Sequence, residues 1–185
     1  MASLYSKCQI NGLFRSLPIE NFFGGAMEDF RDGVIDGVVV RALKRFSDER
    51  GWLMELFRSD ELEGEYFPAM TYISLTRPGV ARGPHEHIDQ ADYFCFAGPS
   101  DFKLYLWDSR KGSPTYRTRQ SFVAGASAPM AVIVPKGVVH AYKNVGDVDG
   151  LVINCPNRLF KGESKKEPVD EVRHEDEANS PYRLD

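Results

Sequence analysis

Ala131-Val-Ile-Val134-Pro135-Lys-Gly137-Val-Val-His140-Ala-Tyr142-Lys-Asn144-Val-Gly146-Asp147-Val-Asp149-Gly150-Leu151-Val-Ile-Asn154-Cys155 alternates short apolar runs with turn residues. Ala131–Val134, Val139–Lys143 and Leu151–Cys155 are too short for helices and rich in β-branched side chains, so each predicts a strand. The same pattern extends upstream, predicting strands near Gly37–Phe46, Trp52–Phe57, Met70–Thr76, Tyr93–Ala97 and Phe102–Trp107. Turn chemistry separates them at Asp48-Glu-Arg-Gly51, Arg77-Pro-Gly79, Gly98-Pro99 and Lys111-Gly-Ser-Pro114. Many short strands at such spacing make the chain all-β, a sandwich, barrel or jelly roll. Helix is expected only at Met27–Arg31 and around Asp60–Glu63. No internal repeat is evident. The expected organisation is an N-terminal arm over 1–33, a β body over 34–160 and a highly charged C-terminal tail over 161–185, which either wraps the body or ends in solvent.

At 185 residues the chain suits one domain with a core of its own. It is 42% hydrophobic and 27% charged, ordinary for a soluble globular protein. A net charge of −4 supplies no basic field, which argues against nucleic acid as a partner. No apolar run approaches the roughly 18 residues of a membrane span, and the N-terminus lacks a signal-peptide pattern. Cys8, Cys95 and Cys155 are odd in number and have no metal spacing; Cys95 and Cys155, in apolar strand-like runs, read as buried, reduced thiols of a cytoplasmic protein.

Three of the four histidines sit on two segments, Arg82-Gly-Pro-His85-Glu-His87 and Pro135–Asn144. Side chains two apart on a strand share a face. His85 and His87 would therefore share one, as would His140, Tyr142 and Asn144. In a closed barrel one such face is the interior, where a small ligand can be held. Residue types alone leave open a proton-transfer site, a metal site or an inert histidine set.

Pro135-Lys-Gly137-Val-Val-His140-Ala-Tyr-Lys-Asn144 is similar to the second cupin motif, and Gly83-Pro-His85-Glu-His87 with Asp92 and Gly98 approximates the first. Within the cupins the chain resembles the dTDP-4-dehydrorhamnose 3,5-epimerase family. The resemblance rests on four ordered segments: Asp48-Glu-Arg50-Gly-Trp-Leu-Met-Glu55-Leu-Phe57; Gly79-Val-Ala-Arg82-Gly83-Pro-His85; Asp108-Ser-Arg110-Lys-Gly112-Ser-Pro-Thr-Tyr116; and Pro135 to Tyr142. A weaker echo lies at Val172–Asp176. The resemblance implies a cupin-type double-stranded β-helix, a homodimer, and a metal-free isomerase that epimerises a nucleotide-linked 4-keto-6-deoxy sugar. It also implies His85 as the base, oriented by Asp176, and Arg82 and Arg50 as holders of the substrate's phosphates. Glu55 and Phe57 would lie near the nucleotide, and His140 would line the sugar pocket; His87, on the face of His85, is the unusual member and is read as substrate-binding beside them.

The chain departs from the family pattern at telling positions. The lysine that steadies the enolate falls near Ala91 or Asp92, and the tyrosine acid aligns with Asn154, which stays in the substrate-binding set with Tyr142. Tyr142 and Tyr72 are the replacement acids on offer. Other readings follow from the same residues. The Arg82-Gly-x-His85-x-His87 step resembles the nucleotide-sugar 3,4-ketoisomerases. His85, His87, Asp92 and His140 could instead hold a divalent transition metal. The losses at Ala91 and Asn154 would also suit a sugar-nucleotide-binding cupin without catalysis.

Overall fold

The computed structural model describes residues 30–185. Most of the expected N-terminal arm, and of the helix expected at Met27–Arg31, lies outside the described residues. Among the described residues thirteen strands run in chain order: β1 (Arg31–Asp32), β2 (Val39–Ala42), β3 (Arg45–Asp48), β4 (Gly51–Met54), β5 (Tyr72–Thr76), β6 (Ala81–Glu86), β7 (Asp92–Gly98), β8 (Asp101–Asp108), β9 (Thr118–Gly125), β10 (Met130–Val134), β11 (Val138–Asn144), β12 (Gly150–Asn154) and β13 (Val172–Arg173). Six form one sheet in the order β1-β9-β8-β11-β6-β13, five form a second in the order β2-β10-β7-β12-β5, and β3 and β4 make a separate hairpin. This is the expected all-β jelly roll. Among the described residues helix is limited to two 3-10 turns, Gly64–Tyr66 and Glu163–Lys165. Asp60–Glu63, expected helical, lies in turns just before the first of them.

The two sheets close on one another over an apolar core. Leu104, Leu106, Val138 and Tyr142 come from the first sheet and Phe94, Phe96, Val132 and Val152 from the second. Alternation along β7 sorts its side chains: Phe94 and Phe96 enter this core, while Tyr93 and Cys95 join Leu43, Ala131 and Ile133 on the far side of their sheet. The tail wraps. Tyr182 and Leu184 cover Tyr105, Trp107 and Val139 on the outer face of the first sheet. Asp185 is anchored by Lys103 Nζ at 2.7 Å and by the Tyr105 hydroxyl at 2.6 Å.

The segment Asp108 to Tyr116, one of those carrying the family resemblance, is a self-bonded loop. Buried Asp108 accepts from Arg110 Nε at 2.9 Å, Ser113 Oγ at 2.5 Å and Thr115 Oγ1 at 2.7 Å. Burial alone would raise its carboxyl, but these donors outweigh it and hold it at about 2. Asp108→Asn should therefore cost about 2 kcal/mol at neutral pH. Because the folded-state value is depressed, that contribution is present above the ordinary carboxylate range and fades as pH falls toward about 2. Urea unfolding of both proteins at pH 7 and pH 3 should show the gap narrowing; a constant gap would refute the assignment.

Candidate functional site

β6 carries an irregularity that composes the site. It pairs with β11 through His85↔His140 and Arg82↔Tyr142, so three steps on β6 match two on β11. This is a β-bulge, and it turns Arg82 and His85 toward one face although they are an odd number of residues apart. Gly83 makes it feasible. Its φ is +81°, and a Cβ there would lie 2.6 Å from the His140 carbonyl oxygen and 3.1 Å from His85 Nδ1. Gly83→Ala should destabilise the fold by about 1–3 kcal/mol and displace His85. A thermal midpoint equal to wild type would count against this account.

At the polar end of the barrel interior His85, His87, Asp92 and His140 converge, with four potential ligand atoms all within 4.8 Å of one another. The His85 and His140 rings meet edge to face at 4.5 Å, and Phe94 links His140 to the core at 5.5 Å. Asp92 Oδ2 lies 3.2 Å from His87 Nε2 and 3.2 Å from His140 Nε2. Despite those distances, neither Asp92 Oδ2 nor His140 Nε2 has a hydrogen-bond partner, and both are buried. The other oxygen, Oδ1, is well held, accepting from Asn154 Nδ2 at 2.8 Å and Gln90 Nε2 at 2.9 Å.

The electrostatics follow from burial and crowding. Burial first, then the neighbouring His140 and His87 rings, lower His85 from its ordinary value, so its ring is neutral and can accept a proton. Burial would also lower His87, but the Asp92 carboxylate outweighs it and raises His87 to about 9. Asp92 would be raised by burial, yet His140 and His87 hold it far below the ordinary carboxylate range. Burial lifts the Tyr72 phenol to about 12. Tyr72 pairs with Asn154 across β5 and β12, and its hydroxyl accepts from Asn154 Nδ2 at 2.8 Å. The phenolic proton is thereby left to donate elsewhere.

Several contributors escaped the sequence reading. Asp170, in the tail, accepts from the N–H groups of Ile88, Asp89 and Gln90 at 2.8–3.0 Å, and its carbonyl meets His87 Nδ1. Glu171 and Glu175 come within 3.8 and 4.0 Å of His85 Nδ1. These two stand where Asp176 was expected. Asp176 itself is exposed and faces Arg173. Only the concentration of acids in the tail hinted at any of this.

The remaining expected residues divide. His87, His140 and Asn154 join His85 in the interior. Arg82 reaches Thr76 Oγ1 at 3.0 Å and the Leu75 carbonyl at 2.8 Å. Tyr142 sits deeper, among Phe94, Phe96 and Phe102, with its hydroxyl 3.1 Å from Ser74 Oγ. Arg50, Glu55 and Phe57 are not brought to the histidines within one chain. Arg50 pairs with Asp48 at the tip of the β3–β4 hairpin, and Glu55 faces Arg58 at 3.8 Å. Phe57 packs on Tyr93, the opposite side of β7 from Asp92, and helps line a small cavity of about 90 Å³ with Arg41 and Ile133.

The profile of the dTDP-4-dehydrorhamnose 3,5-epimerase family matches residues 32–176, most of the chain. The chain belongs to that family. Its relatives include the probable low-salt glycan biosynthesis epimerase Agl13 of Haloferax volcanii, 39% identical over 135 residues covering 72% of this chain and 85% of that protein. The spore coat polysaccharide biosynthesis protein SpsL of Bacillus subtilis is 35% identical over 120 residues, covering 65% of this chain and 78% of its own. A dTDP sugar isomerase from Desulfovibrio desulfuricans shares the fold, with a TM-score of 0.70 at 19% identity over 82% of this chain and 91% of that one. This family member is a sugar epimerase, hence an isomerase. No helix among the described residues is long and apolar enough to cross a membrane.

Proposed function

We propose that this epimerase acts on a dTDP-linked (or similar nucleotide-linked) 4-keto-6-deoxy hexose. It would remove a proton from a carbon beside the C4 ketone and return one from the opposite face of the ring. The observation that carries the reading is a chain of contacts at one end of the barrel: Asn154 bridges the phenol of Tyr72 to Asp92, and Asp92 shares one cluster with His85. Ketone-activated epimerisation needs a base, a positive environment for the enolate and an acid. His85 supplies the first, backed by Glu171 and Glu175 in the role expected of Asp176. Tyr72 supplies the last, in place of the tyrosine replaced by Asn154. Arg82, at the rim beside Tyr142, offers a guanidinium to the diphosphate. These proton transfers call for no organic cofactor.

The split of the nucleotide residues supports a homodimer. A second copy could bring its Arg50, Glu55 and Phe57 to a site that one chain leaves without them. Strand β5 is a sheet edge, and its outward side chains Ile73 and Leu75 are 60% and 50% exposed. Ile73→Glu with Leu75→Glu should shift the mass in light scattering from about twice 20.9 kDa to a single chain. A wild-type monomer would remove the dimer reading. A cytoplasmic location, with Cys95 and Cys155 reduced, suits a nucleotide-sugar substrate.

The test is proton NMR of a dTDP-4-keto-6-deoxy hexose in deuterated water. Deuterium uptake at C3, at C5 or at both is the expected result. A product whose ketone has moved to C3 would mean a 3,4-ketoisomerase. Binding without uptake would mean a binding protein, and neither binding nor uptake across several nucleotide sugars would end the reading.

A further inference from the structure

We propose that His87 is held as an imidazolium that offsets the buried Asp92 carboxylate, so that an enolate can form beside His85 without facing an uncompensated negative charge. The benefit to the enolate rests on the epimerase reading; the charge pairing does not.

The need comes from the company His85 keeps. Glu171 and Glu175 stand 3.8 and 4.0 Å from its Nδ1, and Asp92 shares its 4.8 Å cluster. An enolate is an anion, and like charges repel strongly away from water. His85 is a neutral ring and Tyr72 a neutral phenol. Neither supplies the positive charge that the developing enolate requires.

Asp92 fixes where that charge must lie. The residue is 1% exposed, and a carboxylate so buried stays ionised only beside a counter-charge. Its Oδ1 accepts from two neutral amides, Asn154 Nδ2 at 2.8 Å and Gln90 Nε2 at 2.9 Å. The ion pairs are on Oδ2, where His87 Nε2 and His140 Nε2 each lie 3.2 Å away. One carboxylate offsets one cation, and His87 carries that charge at the lower cost. Its side chain is 12% exposed against 4% for His140, which packs on the Phe94 ring. The Asp170 carboxylate adds its field at His87, and Asp92 and Asp170 together raise that ring above its ordinary value.

His87 is also caught between acceptors. Its Nδ1 meets the Asp170 carbonyl and its Nε2 faces the Asp92 carboxylate. An imidazole can donate on both sides only when it carries both protons. The Gln90 amide, 3.2 Å from His87 Nε2, donates to Asp92 Oδ1. Asp170 is itself fixed, its carboxylate accepting from the N–H groups of Ile88, Asp89 and Gln90. The His85 and His87 rings, with centroids 5.6 Å apart, thus divide the work. Neutral His85 takes a proton, and charged His87 keeps Asp92 from opposing the anion that results. His87 acts through Asp92 and is a positioning residue.

The experiment measures deuterium uptake by the full chain over a range of dTDP-4-keto-6-deoxy hexose concentrations, with nitrogen NMR of histidine-labelled protein beside it. In wild type at pH 7 the His87 ring, assigned by its absence from His87→Gln, should show two protonated nitrogens. His87→Gln should lower kcat about a hundredfold and leave KM within a few fold. Adding Asp92→Asn removes the opposing charge as well and should restore kcat at least tenfold. A merely structural role would not be mended by a second substitution in the same cluster. Circular dichroism checks each fold. If the double variant does not fold, His87→Lys, which keeps a positive charge without the ring, should exceed His87→Gln in kcat at least tenfold. A neutral His87 ring, kcat in His87→Gln within a few fold of wild type, or no gain in the folded double variant would each overturn the proposal; so would no gain in His87→Lys where it stands in. Uptake by a wild type whose His87 is neutral would sink this inference and spare the epimerase reading. A doubly protonated His87 without any uptake would do the reverse, leaving the charge pairing in place.

Discussion

His85→Gln should slow deuterium uptake by two to four orders of magnitude, the usual worth of a positioned general base, while substrate binding changes by only a few fold. Glutamine approximates the volume of the imidazole and can still hydrogen-bond, but its amide cannot take up a proton at neutral pH. The Gly83 bulge holds this position against His140 independently of the side chain. Lost rate with retained binding would therefore report chemistry and not collapse. The neighbouring acids supply the contrast. Glu171→Gln with Glu175→Gln should slow uptake moderately, because both carboxylates stand within 4.0 Å of the ring. Asp176→Asn should leave it near wild type. Uptake in His85→Gln within tenfold of wild type would remove His85 from the base role.

What the sequence made legible, and what it hid, follows from the range of the interactions. Strand periodicity is local, so the all-β body and the shared face of His140, Tyr142 and Asn144 could be read directly; all three side chains are buried. β9 (Thr118–Gly125) was not foreseen, since Thr-Arg-Gln-Ser opens it without an apolar pattern. The expected strand Gly37–Phe46 is two, β2 and β3, with Leu43 and Lys44 between them. Arg82 and His85 show the limit of parity: three positions apart, they share a face because Gly83 permits a bulge. Asp92 and Asn154 illustrate the longer range. Taken separately, each reads as the loss of a family residue. In the fold the two side chains meet at 2.8 Å across neighbouring strands of one sheet, and Tyr72 joins them. A charged group and an amide that compensate each other across 62 positions leave no mark that one sequence can reveal.

The tail was the most ambiguous segment, and it yields the other large prediction. Its charge leaves open a wrapping tail or a solvated end, and two different tasks are written into it. Tyr182 and Leu184 cover Trp107 and Tyr105, with Tyr182 also packing on Phe30. Asp170, Glu171 and Glu175 serve the histidines. The tasks can be separated by where the chain is cut. A protein ending at Asn179 uncovers Trp107 but keeps β13 and Asp170. It should lose about 2–4 kcal/mol of stability, in line with removing a large aromatic and a leucine from a packed surface. The Trp107 emission should shift to the red, and deuterium uptake per folded molecule should stay near wild type. A protein ending at Pro168 also loses the carboxylate that caps three backbone N–H groups beside His87, and the acids facing His85. It should be less stable still, and its folded fraction should take up deuterium at least a hundredfold more slowly, since a misplaced catalytic group costs about that much. Equal uptake by the two truncated proteins would mean that the tail covers the barrel without shaping its site.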